Sequence, residues 1–228
     1  MKFANVNGKT IGEVMLMMEE EKSGRDKEAI IGMMEERLIK MKEAVDSGIK
    51  DPSTAPSGIS GGDAVKMHNY VKQGKALSGS YISDAMTFSL ATSETNARMG
   101  VIVATPTAGA AGILPGVLFS LHKKNGDTSY KELVMGLFTA SMLGYVIANR
   151  SFISGAAGGC QAEVGSAAAM AAGVIVELKG GTPEQAVNAT AIAMKSLLGL
   201  VCDPVAGLVE VPCIKRNVIG TSIAFFSS

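Results

Sequence analysis

Three cysteines, Cys160, Cys202 and Cys213, are the only thiols in a chain of 228 residues, and no other side chains in it are soft metal ligands of comparable strength. Cys160 follows Gly155-Ala156-Ala157-Gly158-Gly159, Cys202 precedes Asp203-Pro204, and Cys213 follows Val211-Pro212. All three are therefore expected in loops, beside residues that interrupt helices. Residue type and spacing leave three readings open. A free cysteine is a common small core residue. A structural zinc site needs short paired spacings, and these wide separations match none of them. Three thiolates on loops can instead hold a cubane iron-sulfur cluster, leaving one iron open to a ligand.

Two further loops carry groups able to bind a small polar molecule. In Ser57-Gly58-Ile59-Ser60-Gly61-Gly62-Asp63, the hydroxyls of Ser57 and Ser60, the N–H groups of Gly61 and Gly62 and the charge of Asp63 can clamp a carboxylate or an ammonium. Asp63 equally suits the N-cap of a helix beginning at Ala64. Thr105 and Thr107, close to Gly109, form a second such loop, with caps or core hydroxyls as the plainer reading. His68 and His122 are the only imidazoles, the side chains that titrate near neutrality. Both read first as surface or packing histidines; His68 is the one kept as a catalytic candidate, and the proton-abstracting base is otherwise unassigned. Polar residues also punctuate the apolar body at Glu94, Asn96, Arg98, Asn149, Arg150, Gln161 and Glu163. Glu163, opening a helix just after Cys160, suits a first-turn charge.

These groups need a rigid frame, and the frame reads as helical. Thr10 with Glu13 and Ser129 with Glu132 are capping boxes, and Thr182-Pro183-Glu184-Gln185 places an N-cap before proline at the first helical position. A helix is expected from Asp26 to Ser47, with Ile30, Met33, Met34, Leu38, Met41 and Val45 on one stripe and Gly48 as terminator. Another is expected from Ser83 or Asp84 to Ala97. Met15, Met17 and Met18 read as core. Residues 49–62 are too rich in Pro, Ser and Gly for a regular element, and Gly-rich loops are expected over 104–115, 154–160 and 202–213. No segment sustains a period-two alternation, so the expected fold class is all-α or nearly so.

Composition narrows the function classes. Hydrophobic residues make up 47% of the chain, enough for a sizeable core, but tryptophan is absent and 27 glycines and 14 methionines are present. Packing must rely on small residues and close backbone approach. Charge is concentrated in the first fifty residues, which suggests a charged helical segment, 1–48, packed on a catalytic domain, 49–228. Lys plus Arg equals Asp plus Glu at 21 each, which supplies neither a phosphate-neutralising stripe nor a polybasic membrane patch. The residues before Gly8 lack the pattern of a secretory signal, so the expected location is the cytoplasm and the thiols are expected reduced. The uncharged runs 99–121 and 133–149 approach the length of membrane spans. Prolines and glycines break the first, and no aromatic belt flanks either. Gly109-Ala110-Ala111-Gly112 follows no strand and is not read as a dinucleotide loop.

Four stretches, taken in order, carry a resemblance. They are Ser57-Gly58-Ile59-Ser60-Gly61-Gly62-Asp63-Ala64, the run from Thr105-Pro106-Thr107 through Gly109 to Pro115, Gly158-Gly159-Cys160-Gln161-Ala162-Glu163-Val164-Gly165, and the run from Cys202-Asp203-Pro204 to Val211-Pro212-Cys213. Together they resemble the iron-sulfur L-serine dehydratases, specifically the alpha chain of the two-chain bacterial form, from near residue 10 to about Gly220. The resemblance implies a [4Fe-4S] cluster on Cys160, Cys202 and Cys213, with a Lewis-acid iron that takes the serine hydroxyl. It also implies conversion of L-serine to pyruvate and ammonia without pyridoxal phosphate, and a separate beta chain as partner in a hetero- or homo-oligomer. Ser57, Ser60, Gly61, Gly62, Asp63, Thr105, Thr107 and Gly109 are then the expected substrate-binding residues. Family alpha chains continue past the last cysteine with another helical stretch, so this chain is expected to be truncated at its C-terminus. A non-catalytic cluster carrier and a hydro-lyase for another hydroxy amino acid, such as threonine, are the alternatives.

Overall fold

A computed structural model describes residues 8–125 and 128–228, so the reading of the first seven residues lies outside the described residues. The helices are α1 (Ile11–Ser23), α2 (Lys27–Gly48), α3 (Asp63–Lys72), α4 (Ser80–Ala97), α5 (Ile113–Asn125), α6 (Tyr130–Arg150), the single turn α7 (Gly155–Gly158), α8 (Ser166–Leu178), α9 (Pro183–Lys195) and α10 (Val211–Ser227). Short 3-10 turns occupy Ala108–Ala110 and Val205–Gly207, and a π-helical segment, Gln161–Gly165, leads into α8. No strand occurs among the described residues, where an isolated bridge pairs Thr54 with Gly61, and the fold is all-α.

The expected caps form. Thr10 and Glu13, Ser129 and Glu132, and Thr182 and Gln185 each make a reciprocal capping box, the last with proline inside the first turn. At α1 the accounting is complete. Thr10 N–H donates to Glu13, Glu13 N–H to Thr10, and Ile11 and Gly12 N–H to the Glu177 carboxylate at 2.6 and 3.1 Å. A helix start leaves four donors without intrahelical partners. Two are satisfied here by local sequence and two by a carboxylate from the far end of α8.

Helix α8 is the axis of the body. From Ser166 to Ile175 every residue is buried, and α5, α6, α9 and α10 pack around it. Five of its buried residues are alanines, and at Gly173 a Cβ would lie 2.7 Å from the Thr190 hydroxyl. The same economy governs the contact of α5 with α4. A Cβ on Gly112 would stand 2.5 Å from the Ser89 carbonyl oxygen, and one on Gly116 would stand 2.7 Å from that of Ala85. Small residues four apart on each helix let the two backbones approach closely, as the composition required. On the outside, α1 packs against α6 and α2 against α4.

Several expectations change. Helix α4 begins at Ser80, a turn before Ser83, behind a Gly79 with positive φ and no side-chain cap. Ser83 and Asp84 are buried within it, and the Ser83 hydroxyl donates back to the Gly79 carbonyl. Gly48 is the last residue of α2 rather than a left-handed terminator. It is required because α2 crosses α4 there, and a Cβ would lie 2.5 Å from the Ala91 carbonyl carbon. On α2, Ile30, Leu38, Met41 and Val45 are buried and Met34 is partly so, but Met33 faces outward beside Arg25. Met17 and Met18 are also exposed, because Leu16 holds the buried side of α1 and the next two positions rotate away from it. The 99–121 run is divided between a loop, a 3-10 turn and α5. Helix α6 is long and apolar enough to cross a membrane by length and composition, and 56% of its apolar window is buried inside the fold.

Candidate functional site

The three thiols come from three different local structures. Gly159, at φ 78°, turns the chain so that Cys160 stands at the start of the π-helical segment. A Cβ at Gly159 would collide with Leu200. Gln161 stitches this turn to the neighbouring segment: its Nε2 donates to Gly158 O at 2.9 Å, its Oε1 accepts from Gly199 N–H at 2.7 Å, and its backbone N–H donates to Leu200 O. Cys202 follows that segment and is exposed, with its Sγ 3.5 Å from where a Cβ on Gly155 would stand. Cys213 is not in a loop. Val211 starts α10, Pro212 follows within the first turn where proline is tolerated, and Cys213 is in the same turn.

Electrostatics places the three in one neighbourhood. Burial is the main cause that pushes the Cys213 thiol up to about 11, and negative charge at Cys160, Glu163 and Cys202 adds to it, with Arg216 opposing. Burial likewise raises Cys160, while a hydrogen bond from Arg216 and its positive charge work the other way. Arg216 is itself fixed. Its guanidinium grips both oxygens of Asp203 and donates to Val201 O at 3.0 Å, so the cation beside Cys160 is oriented by the Cys202 loop.

Asn217, which is 1% exposed, ties the second loop to α10. Its Nδ2 donates to Gly109 O and Cys213 O, both at 2.7 Å, and its Oδ1 accepts from Gly112 N–H at 3.0 Å. Gly109 also leaves room for Glu163, whose Oε2 lies 2.9 Å from where its Cβ would be; the same oxygen lies 3.0 Å from the corresponding position on Gly155. Thr105 and Thr107 have buried hydroxyl oxygens with no hydrogen-bond partner. A buried hydroxyl without a partner is costly. Two of them on the loop that reaches Gly109 mark a place suited to a ligand or to water.

Ser57 and Ser60 both donate to Glu210 Oε2, the former at 2.9 Å. Glu210 is buried, so this contact seals the 57–63 loop to the loop that follows Cys202. Asp63 opens α3 as its first residue rather than capping it, and pairs with Lys215 of α10 and, at 3.2 Å, with Lys66. The hydrogen bond to Lys215 is the main cause that holds the Asp63 carboxyl below its usual range, against partial burial. The cap on α3 is supplied by buried Glu94, which accepts from Asp63 and Ala64 N–H at 2.7 and 3.3 Å. Gly61 and Gly62 both have positive φ, and a Cβ on Gly61 would stand 2.6 Å from the Thr54 Cα. Their fitness lies in tight backbone approach.

His68 lines a cleft of about 390 Å³ with Lys72, Ser80, Ser83 and Asp84, and none of the three cysteines lines that cleft. His122 is structural: its Nδ1 is 2.8 Å from Thr128 O and its ring meets Tyr130 edge to face. Asn96 donates to Ala108 O, and Asn149 to Tyr145 O. Arg216, Asn217, Glu210 and Lys215 carry much of the site's architecture and were not singled out from sequence. The one local signal was their position within seven residues of Cys213.

Among the described residues, no three His, Cys, Asp or Glu side chains converge tightly enough to hold a single metal ion. A cluster spreads its thiolates over the corners of a cube, and three thiols of which Cys213 senses the other two, with a fixed arginine beside Cys160, fit that larger group. With this geometry in place, the comparisons are decisive about kinship: residues 6–228 match the family model described as "Serine dehydratase alpha chain", and the chain belongs to that family. It is 52% identical over 218 residues to the "Probable L-serine dehydratase, alpha chain" of Bacillus subtilis, covering 96% of this chain and 72% of that one. It is 57% identical over 145 residues to the protein of the same name from Latilactobacillus sakei, covering 64% and 69%. It is 46% identical over 168 residues to the "L-serine dehydratase, alpha chain" of Peptoniphilus asaccharolyticus, covering 73% and 57%.

Proposed function

We propose that this chain is the cluster-bearing subunit of an L-serine dehydratase, in which Cys160, Cys202 and Cys213 hold a [4Fe-4S] group and L-serine is converted to pyruvate and ammonia. The observation that carries the reading is the gathering of the three thiols, from two helix starts and one loop, beside Arg216, with Asn217 tying Cys213 to the Gly109 loop. When bound, such a cluster supplies a Lewis-acid iron, which helps hydroxide, a poor leaving group, depart from the β-carbon.

The chain's own residues do the rest. Arg216, braced by Asp203, offsets thiolate charge at Cys160. Asn217 holds the Gly109 loop against the first turn of α10 and so fixes that loop relative to Cys213. Thr105 and Thr107 offer hydroxyls to the substrate, and Asp63, through Lys215, ties the Gly61–Gly62 turn to the same helix. Phe152, Leu198, Val201 and Val209 stand exposed on the loops around the thiols, a surface that a second, beta-type chain would cover.

The test is co-expression with the partner chain without oxygen, followed by visible spectroscopy and a pyruvate assay on one sample. A broad cluster absorbance that disappears in Cys160→Ala, together with pyruvate from L-serine, is the expected result. A cluster without turnover would reduce the chain to a carrier. Absence of the absorbance after anaerobic reconstitution with iron and sulfide would refute the assignment of the thiols.

A further inference from the structure

We propose that Glu163 is the specificity-determining residue that recognises the ammonium group of the substrate; this rests on the dehydratase reading above. Five carboxylates surround the thiol site, and four are committed. Asp63 pairs with Lys215 and Lys66. Glu94 caps α3 and faces Arg98. Asp203 is gripped by Arg216. Glu210 accepts from Ser57 and Ser60. Glu163 takes no hydrogen bond or ion pair among the described residues.

Its position is nonetheless tightly defined. The π-helical segment turns it toward the thiols, and its carboxylate lies between Gly109 and Gly155, where a Cβ at either position would stand 2.9 or 3.0 Å from Oε2 and displace the carboxylate. Two glycines on separate loops thus make space for one carboxylate. Helical insertions of this kind often re-aim a side chain at a working site. The setting is negative, because Glu163 adds to the charge felt by both Cys160 and Cys213. Beside thiolates that hold the proposed cluster, a half-buried carboxylate favours a cation, and among the described residues Arg216 is occupied by Asp203 and Cys160 and Lys215 by Asp63. An α-amino acid brings its own. Its ammonium would meet Glu163, and the orphaned hydroxyls on the Gly109 loop would remain for its other polar groups.

The experiment uses the loaded complex with its partner chain and two ligands that lack the β-hydroxyl of serine, L-alanine and L-lactate, which differ in ammonium against hydroxyl at the α-carbon. Their affinities are measured by titration calorimetry for wild type, Glu163→Gln and Glu163→Asp, with cluster absorbance recorded for each. In Glu163→Gln the affinity for L-alanine should fall roughly 10- to 100-fold, the range expected when a charge-assisted hydrogen bond is lost. L-lactate should change by less than about threefold, and Glu163→Asp should restore part of the loss. Equal weakening of both ligands, or loss of absorbance in the variant, would make Glu163 structural and overturn the proposal. Unchanged L-alanine affinity would overturn it directly. A wild-type complex with no absorbance and no binding of either ligand would instead bring down the dehydratase reading, and this inference with it.

Discussion

Replacing Asn217 by leucine keeps the γ-branched shape of a buried side chain but removes three hydrogen bonds at once. The Cys213 carbonyl lies in the first turn of α10 and retains its helical acceptor role. The Gly112 N–H and the Gly109 carbonyl have no other partner on that loop. Each orphaned buried group costs about 1–3 kcal/mol, and the added apolar burial of leucine offsets about 1 kcal/mol. The two orphaned groups together cost about 2–6 kcal/mol, so the net expected loss is about 1–5 kcal/mol, a fall in Tm of about 2–20 °C for a chain of this size. Urea unfolding with a fixed m value reads this directly. Asn217→Asp sharpens the test. At pH 7 its carboxylate would face two carbonyl oxygens, and protonation at about pH 4–5 should recover part of the stability, because burial among acceptors raises its pKa. A loss below about 1 kcal/mol for the leucine variant, or an aspartate variant as stable as wild type at pH 7, would refute the assigned role of this side chain.

Two other outcomes follow from geometry and charge. Gly48→Ala should destabilise by about 1–3 kcal/mol in thermal or urea unfolding, since the new methyl forces α2 away from the Ala91 backbone; a neutral result would mean the crossing is looser than its coordinates indicate. For the metal-free protein, the Cys213 pKa of about 11 lies above the ordinary 9.0, so the unfolded chain ionises first as pH rises. Stability contributed by the neutral thiol is intact below about pH 9, declines between about pH 9 and 11, and declines no further above that. Iodoacetamide labelling at pH 8, read by peptide mass, should be much slower at Cys213 than at exposed Cys202; equal rates would count against the half-buried, charge-opposed thiol.

What was legible in the sequence was mostly local. The capping boxes at Thr10, Ser129 and Thr182 each lie within three residues, and a propensity argument finds them without knowledge of the fold. The loops around Gly61, Gly109, Gly159 and Gly207 were legible for the same reason. The start of α4 was not, because Gly79 offers no capping side chain and buried Ser83 and Asp84 look like caps on paper. Contacts across long separations were invisible: Glu177 caps a helix 166 residues away, and Asn217 holds Gly112 across 105. The helical placement of Cys213 was hidden by Pro212, which reads as a breaker but is tolerated in a first turn. Glu163 was noticed as a polar residue, but its confinement between Gly109 and Gly155 depends on tertiary approach that no local pattern encodes.

The tie between the Gly109 loop and α10 also has a consequence for biosynthesis. At about 5–20 residues per second, a ribosome takes several seconds to add the stretch between Cys160 and Asn217. Throughout that interval the first thiol is out, but the helix that carries the third, and the asparagine that locks it against the rest, have not been made. The three thiols can therefore take their final arrangement only once Asn217 has been made and has drawn the Gly109 loop onto the helix that carries Cys213.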